Sequence, residues 1–563
     1  MRLLIFHGYL LDGTGSNVYN AQLAAALVGL GHDVHLLSQD RHPERLGFVD
    51  AVGDWDAGSL RVRELQRAAA ASREGEGEGG SRVQGESGGQ GESAGGGAGV
   101  RGRCTVYRPN IGELLPVYVA DRYEGIEART FAQCSQRELA RYLDANVAAV
   151  AEVLALACPQ AALANHLIMG PAILARGLDG AIPYAVKVHG SALEYTVKPQ
   201  PERFLGVARE GLAPASAVLV GSRHTAVSLW RTLDDPELPG RTRLGPPGVD
   251  VERFAPREPA QAAAGVRALA ARLRAGAREA EAAHHAEVTQ RVEDDAFARD
   301  EPAAAAAVQR LDPEHDALVA YVGKLIVSKG VDLLVAAWPL VLERAPEARL
   351  VVVGFGAYRH GVERLLGALV AGELETAREI ARAGRALEGG SQPPRPLRHL
   401  LAFFDGLEGG ERERYLQAAR RLDEQVVLSG RLDHEELADL LPACAAVVVP
   451  STFPEAFGMV AAEAAACGAM PISAAHSGLA EVSAVLARAV PEPAAGWLSF
   501  AVDDSAVRAL AAAIAGWLQA DPALRARTRA GLVETVRERW SWEGVARGVI
   551  AAAHGDLDDL REP

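Results

Sequence analysis

The chain has 563 residues, too many for one compact core, so at least two domains are expected. Its formal net charge is −15 and it has no basic run, which speaks against a nucleic-acid partner; its five scattered cysteines form no CxxC pair, which speaks against a zinc site or a disulfide framework. The first apolar run is too short for a signal peptide and no stretch of about 18 apolar residues occurs, so a cytoplasmic protein without a transmembrane helix is expected, and nothing supports peripheral membrane contact.

Residues 2–9 read as a buried strand, followed by a turn at Leu11–Ser16, helical spacing from Val18 to Leu30 and a second strand at His32–Leu37. This is a strand–loop–helix–strand unit of the parallel α/β kind. Residues 72–103, mostly Gly, Glu, Ser, Gln and Arg, bury too little apolar surface to offset their ordering entropy and are predicted to be a disordered insertion. A helix is predicted at 135–157 and short strands at 161–164, 184–188 and 217–220, within a first domain of residues 1–255. Residues 256–312 are Ala-rich and charged, and predict a helical insertion at the interdomain boundary. A second α/β unit opens at Ala317–Gly323, with later strands at 348–353, 426–429 and 446–449; it spans 313–540 and carries a helical, partly loose insertion at 368–420. Residues 541–563 hold a last helix, expected to pack back on the first domain. A glycine pair follows a strand in each half, Gly13/Gly15 and Gly354/Gly356, but the third position of a dinucleotide fingerprint is Val18 in one and Arg359 in the other, which argues against NAD.

Two segments of the second half carry candidate chemistry. In Val447–Ala464 an apolar strand ends at Pro450, a polar loop holds Glu455, and Phe457, Gly458 and Met459 open an Ala-rich helix containing Glu463. Free backbone N–H groups at a helix start suit a diphosphate, and a bare glycine admits close approach. The two carboxylates suit sugar and ribose hydroxyls, or else are a solvated Glu and a helix-dipole Glu. In Tyr321–Gly330 a strand is followed by a loop with Lys324 and Lys329, two of only four lysines in the chain. Two ammonium groups there could neutralise a departing diphosphate without a metal, or could be plain surface charges. Two Asp-x-Asp spacings, at Asp54/Asp56 and Asp556/Asp558, follow no convincing strand, and no divalent metal or other cofactor is inferred from them.

Together these segments resemble the retaining glycosyltransferases of family 4, whose fold is GT-B: two Rossmann-like domains facing a central cleft. The family's Glu–seven residues–Glu motif matches Glu455 and Glu463. Its Gly-Arg…Lys-Gly pair is similar to Gly323-Lys324 and Lys329-Gly330, with Lys324 where Arg is more usual; that departure keeps the charge and loses the bidentate fork. Gly13-Thr14-Gly15-Ser16-Asn17 resembles the family's glycine-rich loop, Val188-His189-Gly190-Ser191 the segment with its active-site histidine, and Ser222, Gly248, Gly430, Gly478 and Glu481 lie in further matching pieces.

The resemblance implies that Glu455 contacts the transferred sugar and Glu463 the nucleotide ribose. It implies that Lys324 and Lys329 hold the diphosphate with the N–H groups of Phe457, Gly458 and Met459, that His189 sits under the donor sugar, and that Gly15 allows close approach of a ligand. From the residues alone, His189 serves equally well as a satisfied core histidine. The implied reaction moves a sugar from a nucleoside-diphosphate sugar to a hydroxyl of a small molecule or glycan, with retention. Alternatives are a GT-B relative with other chemistry, such as a nucleotide-sugar epimerase or a phosphorylase, and a non-catalytic nucleotide-sugar-binding protein. Ser16-Asn17-Val18-Tyr19 is similar to the loop of family members that glycosylate an inositol phosphate.

Overall fold

The computed structural model describes residues 1–13, 15–56, 58–66, 101–118, 126–286, 299–389 and 394–563, without side chains for 279–286. Most of the predicted disordered insertion at 72–103, residues 287–298 of the boundary insertion, and Gly390–Pro393 lie outside the described residues.

In chain order the strands are β1 (Arg2–Phe6), β2 (Asp33–Leu37), β3 (Ala51–Asp56), β4 (Ser59–Glu64), β5 (Cys104–Arg108), β6 (Leu114–Val117), β7 (Glu127–Thr130), β8 (Ala161–Asn165), β9 (Tyr184–Val188), β10 (Ala217–Val220), β11 (Thr242–Leu244), β12 (Ala317–Val322), β13 (Ala348–Val353), β14 (Val426–Gly430), β15 (Ala446–Val449), β16 (Met470–Ala474) and β17 (Ser499–Phe500). The first sheet runs β11-β10-β9-β8-β1-β2-β5-β3-β4 and is parallel except for the β3–β4 hairpin. The second runs β14-β13-β12-β15-β16-β17 and is parallel throughout.

The local sequence explains these strands. β8, β9, β10 and β16 are buried at every residue, and their near-continuous small and β-branched side chains suit a sheet covered by helices on both faces. β3 and β4 were not evident in the sequence because they form a polar edge hairpin, where Asp54 is ion-paired to Arg108 on β5.

Each sheet has its first strand in the middle and grows both ways from it, β1 between β8 and β2, β12 between β15 and β13. At such a switch point the loops leaving neighbouring carboxyl ends diverge and open a crevice. The crevice loops begin at 7–13 after β1, 166–169 after β8 and 189–192 after β9 in one sheet. In the other they are 323–330 after β12, 450–458 after β15 and 475–477 after β16.

The boundary helices, Pro259–Ala286 and Glu301–Gln309, contribute Val266, Leu269, Leu273 and Val308 to the core around the second sheet. The 368–420 region is not loose in its described part. Phe403, Phe404 and Tyr415 are fully buried, and the Tyr415 hydroxyl donates to the Ala336 carbonyl at 3.0 Å.

The chain returns to the first sheet at its end. Val249 N–H donates to the Trp540 carbonyl at 2.7 Å, and the helix Trp542–His554, capped by Ser541, buries Ala546, Val549, Ala552 and Ala553 in the same core as Ile5, Leu27 and Leu163. Among the described residues no helix is long and apolar enough to cross a membrane.

Val549→Asp places an unpaired carboxylate against the first sheet, at a cost of about 3–5 kcal/mol. Hydrogen exchange is expected to show lost protection in β1, β8 and β9 while β12 and β13 keep theirs. Loss confined to β12–β17 would contradict that packing.

Candidate functional site

One cavity of about 300 Å³ lies in the crevice where the two sheets meet. From the second sheet it is lined by Lys324, Ile326, Lys329, Pro454, Glu455 and Ala456, and from the first by Tyr9, Gly15, Ser16, Asn17, Tyr118, His166, His189, Gly190, Glu194 and Tyr195, among others.

The second-sheet wall is made by two loops leaving the adjacent strands β12 and β15. Gly330 has φ +68°, and a β-carbon there would fall 2.1 Å from the Pro450 carbonyl oxygen, so only glycine lets the loops lie this close. Thr452 N–H then donates to the Ser328 carbonyl at 2.9 Å, and the Lys329 ammonium hydrogen-bonds Glu455 Oε1. Burial disfavours the Lys329 charge, but the Glu455 carboxylate outweighs it and holds the pKa above its ordinary value, so the ammonium persists at neutral pH. Glu455 is fixed on every side. Ser451 Oγ donates to its Oε1 at 2.5 Å, its N–H donates to Ser477 Oγ at 2.9 Å, and its carbonyl accepts from Gly478 N–H at 2.9 Å. His476 braces this group, with Nε2 donating to the Ser451 carbonyl at 2.8 Å.

The first-sheet wall carries Glu194, ion-paired to Lys198, beside a network of neutral polar groups. The Leu10 carbonyl can only accept, so His7 Nε2, 3.0 Å away, carries the proton, and its Nδ1 accepts from Asn20 Nδ2 at 3.0 Å. Asn20 Oδ1 then accepts from Asn165 Nδ2 at 2.7 Å, and Asn165 Oδ1 accepts from His189 Nε2 at 2.8 Å. The same His7 Nε2–H reaches Asn17 Oδ1 at 3.0 Å. This relay fixes the His189 ring as the Nε2–H tautomer, with Nδ1 its acceptor. Burial pushes His7 down to about 4 and holds His189 well below the usual histidine range, aided for His189 by His166 and Lys187. Lys187, also buried, is pushed down to about 7.

The two walls touch around the cavity. Both Glu481 oxygens accept, at 2.8 Å each, from the N–H groups of Arg223 and His224 at the start of the helix Arg223–Leu233, where a carboxylate also meets the positive end of the helix dipole. Asp12 and Arg431 approach to 3.6 Å, Tyr195 stacks on Phe453 at 5.0 Å, and Ala456 packs against Gly190 and Gly221. The cleft is closed.

The structure brings Lys324, Lys329, Glu455, His189, Gly15, Ser16 and Asn17 to one cavity, whereas Gly13, Phe457, Gly458, Met459 and Glu463 do not line it. At Gly458 φ is +147° and a β-carbon would meet Leu479 Cδ2 at 2.7 Å, so packing alone already requires glycine there. Glu463 is buried one turn into the helix Met459–Ala466 and its Oε1 is 2.9 Å from His434 Nε2; burial opposes the His434 charge, but Glu463 holds its pKa above the ordinary value. Ser222 is the N-cap of its helix, accepting from Thr225 N–H at 3.3 Å. Sequence reading did not single out Tyr9, Tyr118, Glu194, Tyr195, Ser451 or His434; for Asn165-His166 the sequence allows either a cleft-facing or a loop-capping role, and His166 lines the cavity. The only available signal for several of them is position one or two residues beyond a buried strand.

Residues 399–532 match the family described as Glycosyl transferases group 1. The chain is 30% identical over 261 residues to D-inositol 3-phosphate glycosyltransferase of Segniliparus rotundus, covering 46% of this chain and 44% of that protein. It is 27% identical over 365 residues to the protein of the same name from Xylanimonas cellulosilytica, covering 65% of this chain and 63% of that one. The matches thus span less than two thirds of the length of these curated relatives. Among solved structures, sucrose-phosphate synthase from Thermosynechococcus elongatus is similar with a TM-score of 0.53 at 20% identity, over 99% of this chain and 98% of that one. Anabaena HepE in complex with UDP and glucose is similar with a TM-score of 0.52 at 14% identity, over 99% and 100% of the two chains. The fold is the GT-B arrangement of two Rossmann-like sheets facing a cleft.

Glu481→Ala removes both bonds of the clasp on Arg223 and His224. Small-angle scattering is expected to report a larger radius of gyration for the variant than for the parent chain. Identical profiles would mean that the remaining contacts hold the cleft shut.

Proposed function

We propose that this protein is a metal-independent, retaining glycosyltransferase that moves a sugar from a nucleoside-diphosphate sugar to a hydroxyl of a small-molecule or glycan acceptor. The observation that carries this is the cavity in which a cationic loop and a braced carboxylate on one sheet face a polar histidine–asparagine wall on the other. The match to Glycosyl transferases group 1 and the inositol-phosphate glycosyltransferase relatives support it, as does the UDP and glucose held in the HepE structure.

In this reaction the bond from the anomeric carbon to the diphosphate oxygen breaks and the acceptor oxygen bonds that carbon. The acceptor proton passes to the departing diphosphate on the same face, which gives retention. The leaving group gains charge as it departs, so the fixed ammonium groups of Lys324 and Lys329 favour the transition state over the bound donor. Glu455, held by Lys329 and Ser451, orients the sugar hydroxyls, and opening of the cleft exposes the N–H groups of Phe457, Gly458 and Met459 to the phosphates. Glu463 takes the ribose diol, with His434 steadying its carboxylate. Neutral His189 lies under the sugar, where an imidazolium would compete with the lysines for the diphosphate. Closure excludes water and limits donor hydrolysis.

With uridine, guanosine and adenosine diphosphate sugars as donors, Lys329→Ala is expected to lower kcat by about 10²–10³. Glu455→Gln keeps the shape and loses the charge that pairs with Lys329, and is expected to lower kcat by a similar factor. Transfer at parental rates in both variants would end this assignment.

A further inference from the structure

We infer that Glu388, on the insertion between β13 and β14, is a positioning residue for Lys329: it holds the turn from which that ammonium reaches the diphosphate of the donor. This rests on the glycosyltransferase reading and adds to it a residue from outside the two loops that form the second-sheet wall.

The crossover from β13 to β14 runs through residues 354–425, where about a dozen residues suffice to bring a parallel strand back beside its neighbour. Its helices Leu374–Ala383 and Arg398–Asp405 bury Ile380, Phe403 and Phe404 in the core around the second sheet. The two legs are tied together. Leu397 N–H donates to the Ala381 carbonyl at 2.8 Å, and Arg385 N–H to the Arg395 carbonyl at 3.2 Å. The short turn Arg385–Glu388 between them stands on this base, with Leu387 packed against the same core.

From there Glu388 reaches the cationic loop. Its Oε1 accepts from Val327 N–H at 2.7 Å, and Val327 opens the turn Val327–Lys329. The N–H that opens a turn has no acceptor inside it, and a carboxylate is the strongest acceptor a side chain offers. Glu388 Oε2 pairs with Arg385 Nε at 3.2 Å. Only 15% of the Glu388 side chain is exposed, so the carboxylate gives up most of its hydration for these two partners.

The turn is thereby held at successive residues by different parts of the chain: Val327 by Glu388, and Ser328 by Thr452 of the loop after β15, whose N–H donates to the Ser328 carbonyl. The ion pair with Glu455 fixes the tip of Lys329, while these two bonds fix the backbone it grows from. A donor competes for Glu455 and for the ammonium. Neither Val327 nor Glu388 lines the cavity, so the bond between them persists when a donor enters.

The test compares the parent chain with Glu388→Ala, Glu388→Gln, Lys329→Ala and the double variant Lys329→Ala/Glu388→Ala. Release of nucleoside diphosphate is followed from uridine, guanosine and adenosine diphosphate glucose, with glucose and myo-inositol as acceptors. Binding of the three nucleoside diphosphates is measured by calorimetry. Glu388→Ala is expected to lower kcat and to weaken the nucleoside diphosphate about tenfold each, with the acceptor KM within about threefold, because a small misplacement of one charged group is costly. Glu388→Gln restores most of both, since its amide oxygen accepts the same N–H. The double variant falls no further than Lys329→Ala, since Glu388 acts through that residue. Parental values in Glu388→Ala, an equal loss in Glu388→Gln, or losses that multiply in the double variant overturn the positioning role. A parent chain that binds a nucleoside diphosphate but cleaves no donor overturns the glycosyltransferase reading, and the binding losses then decide the role of Glu388. A parent chain that does neither overturns both.

Discussion

The ion pair between Lys329 and Glu455 is the constraint on which the second-domain wall depends. Because β12 and β15 are paired in register, their following loops start side by side, and Gly330 lets them close onto each other. Neither charge would sit comfortably here alone. Lys329 is partly shielded from water and needs a counter-ion, and Glu455 needs one as well. Together they fix both loops, and Ser451, Ser477 and His476 extend the bracing into β16. The result is a charged group already oriented before any ligand arrives, which is what an electrostatic site requires.

Charge is divided between the walls. The second sheet supplies the ammonium groups and Glu455, while the first supplies His7, His166 and His189, which burial keeps neutral, with His7 and His189 linked through Asn20 and Asn165. The division follows from topology. The first-sheet loops after β1, β8 and β9 pack on one another and expel water, so a charge there would be costly. The loops after β12 and β15 remain partly open, so a paired charge is tolerated.

Much of this was legible in the sequence. Buried parallel strands announce themselves as short apolar runs, and β1, β8, β9, β10, β12, β13 and β15 were readable on that basis. The loops holding Lys329, Glu455 and His189 were readable because each follows such a strand. The β3–β4 hairpin was not, since its edge position leaves polar residues on a strand. Nor were Tyr9 and Tyr118, whose approach to His166 depends on three loops far apart in sequence and on a left-handed backbone at His166 that no residue type announces. At Gly458 a bare backbone serves a ligand or a neighbouring side chain equally well, and the packing of Leu479 against it could not be read from the sequence.

The helix Trp542–His554 has a consequence for how the chain is made. It covers β8, β9 and β10, yet it leaves the ribosome about 300 residues after β11 has emerged. At about 5–20 residues per second, that sheet waits roughly 15–60 s with an apolar face uncovered. The half synthesised first is therefore the half completed last, and during that interval it is the natural client for a chaperone.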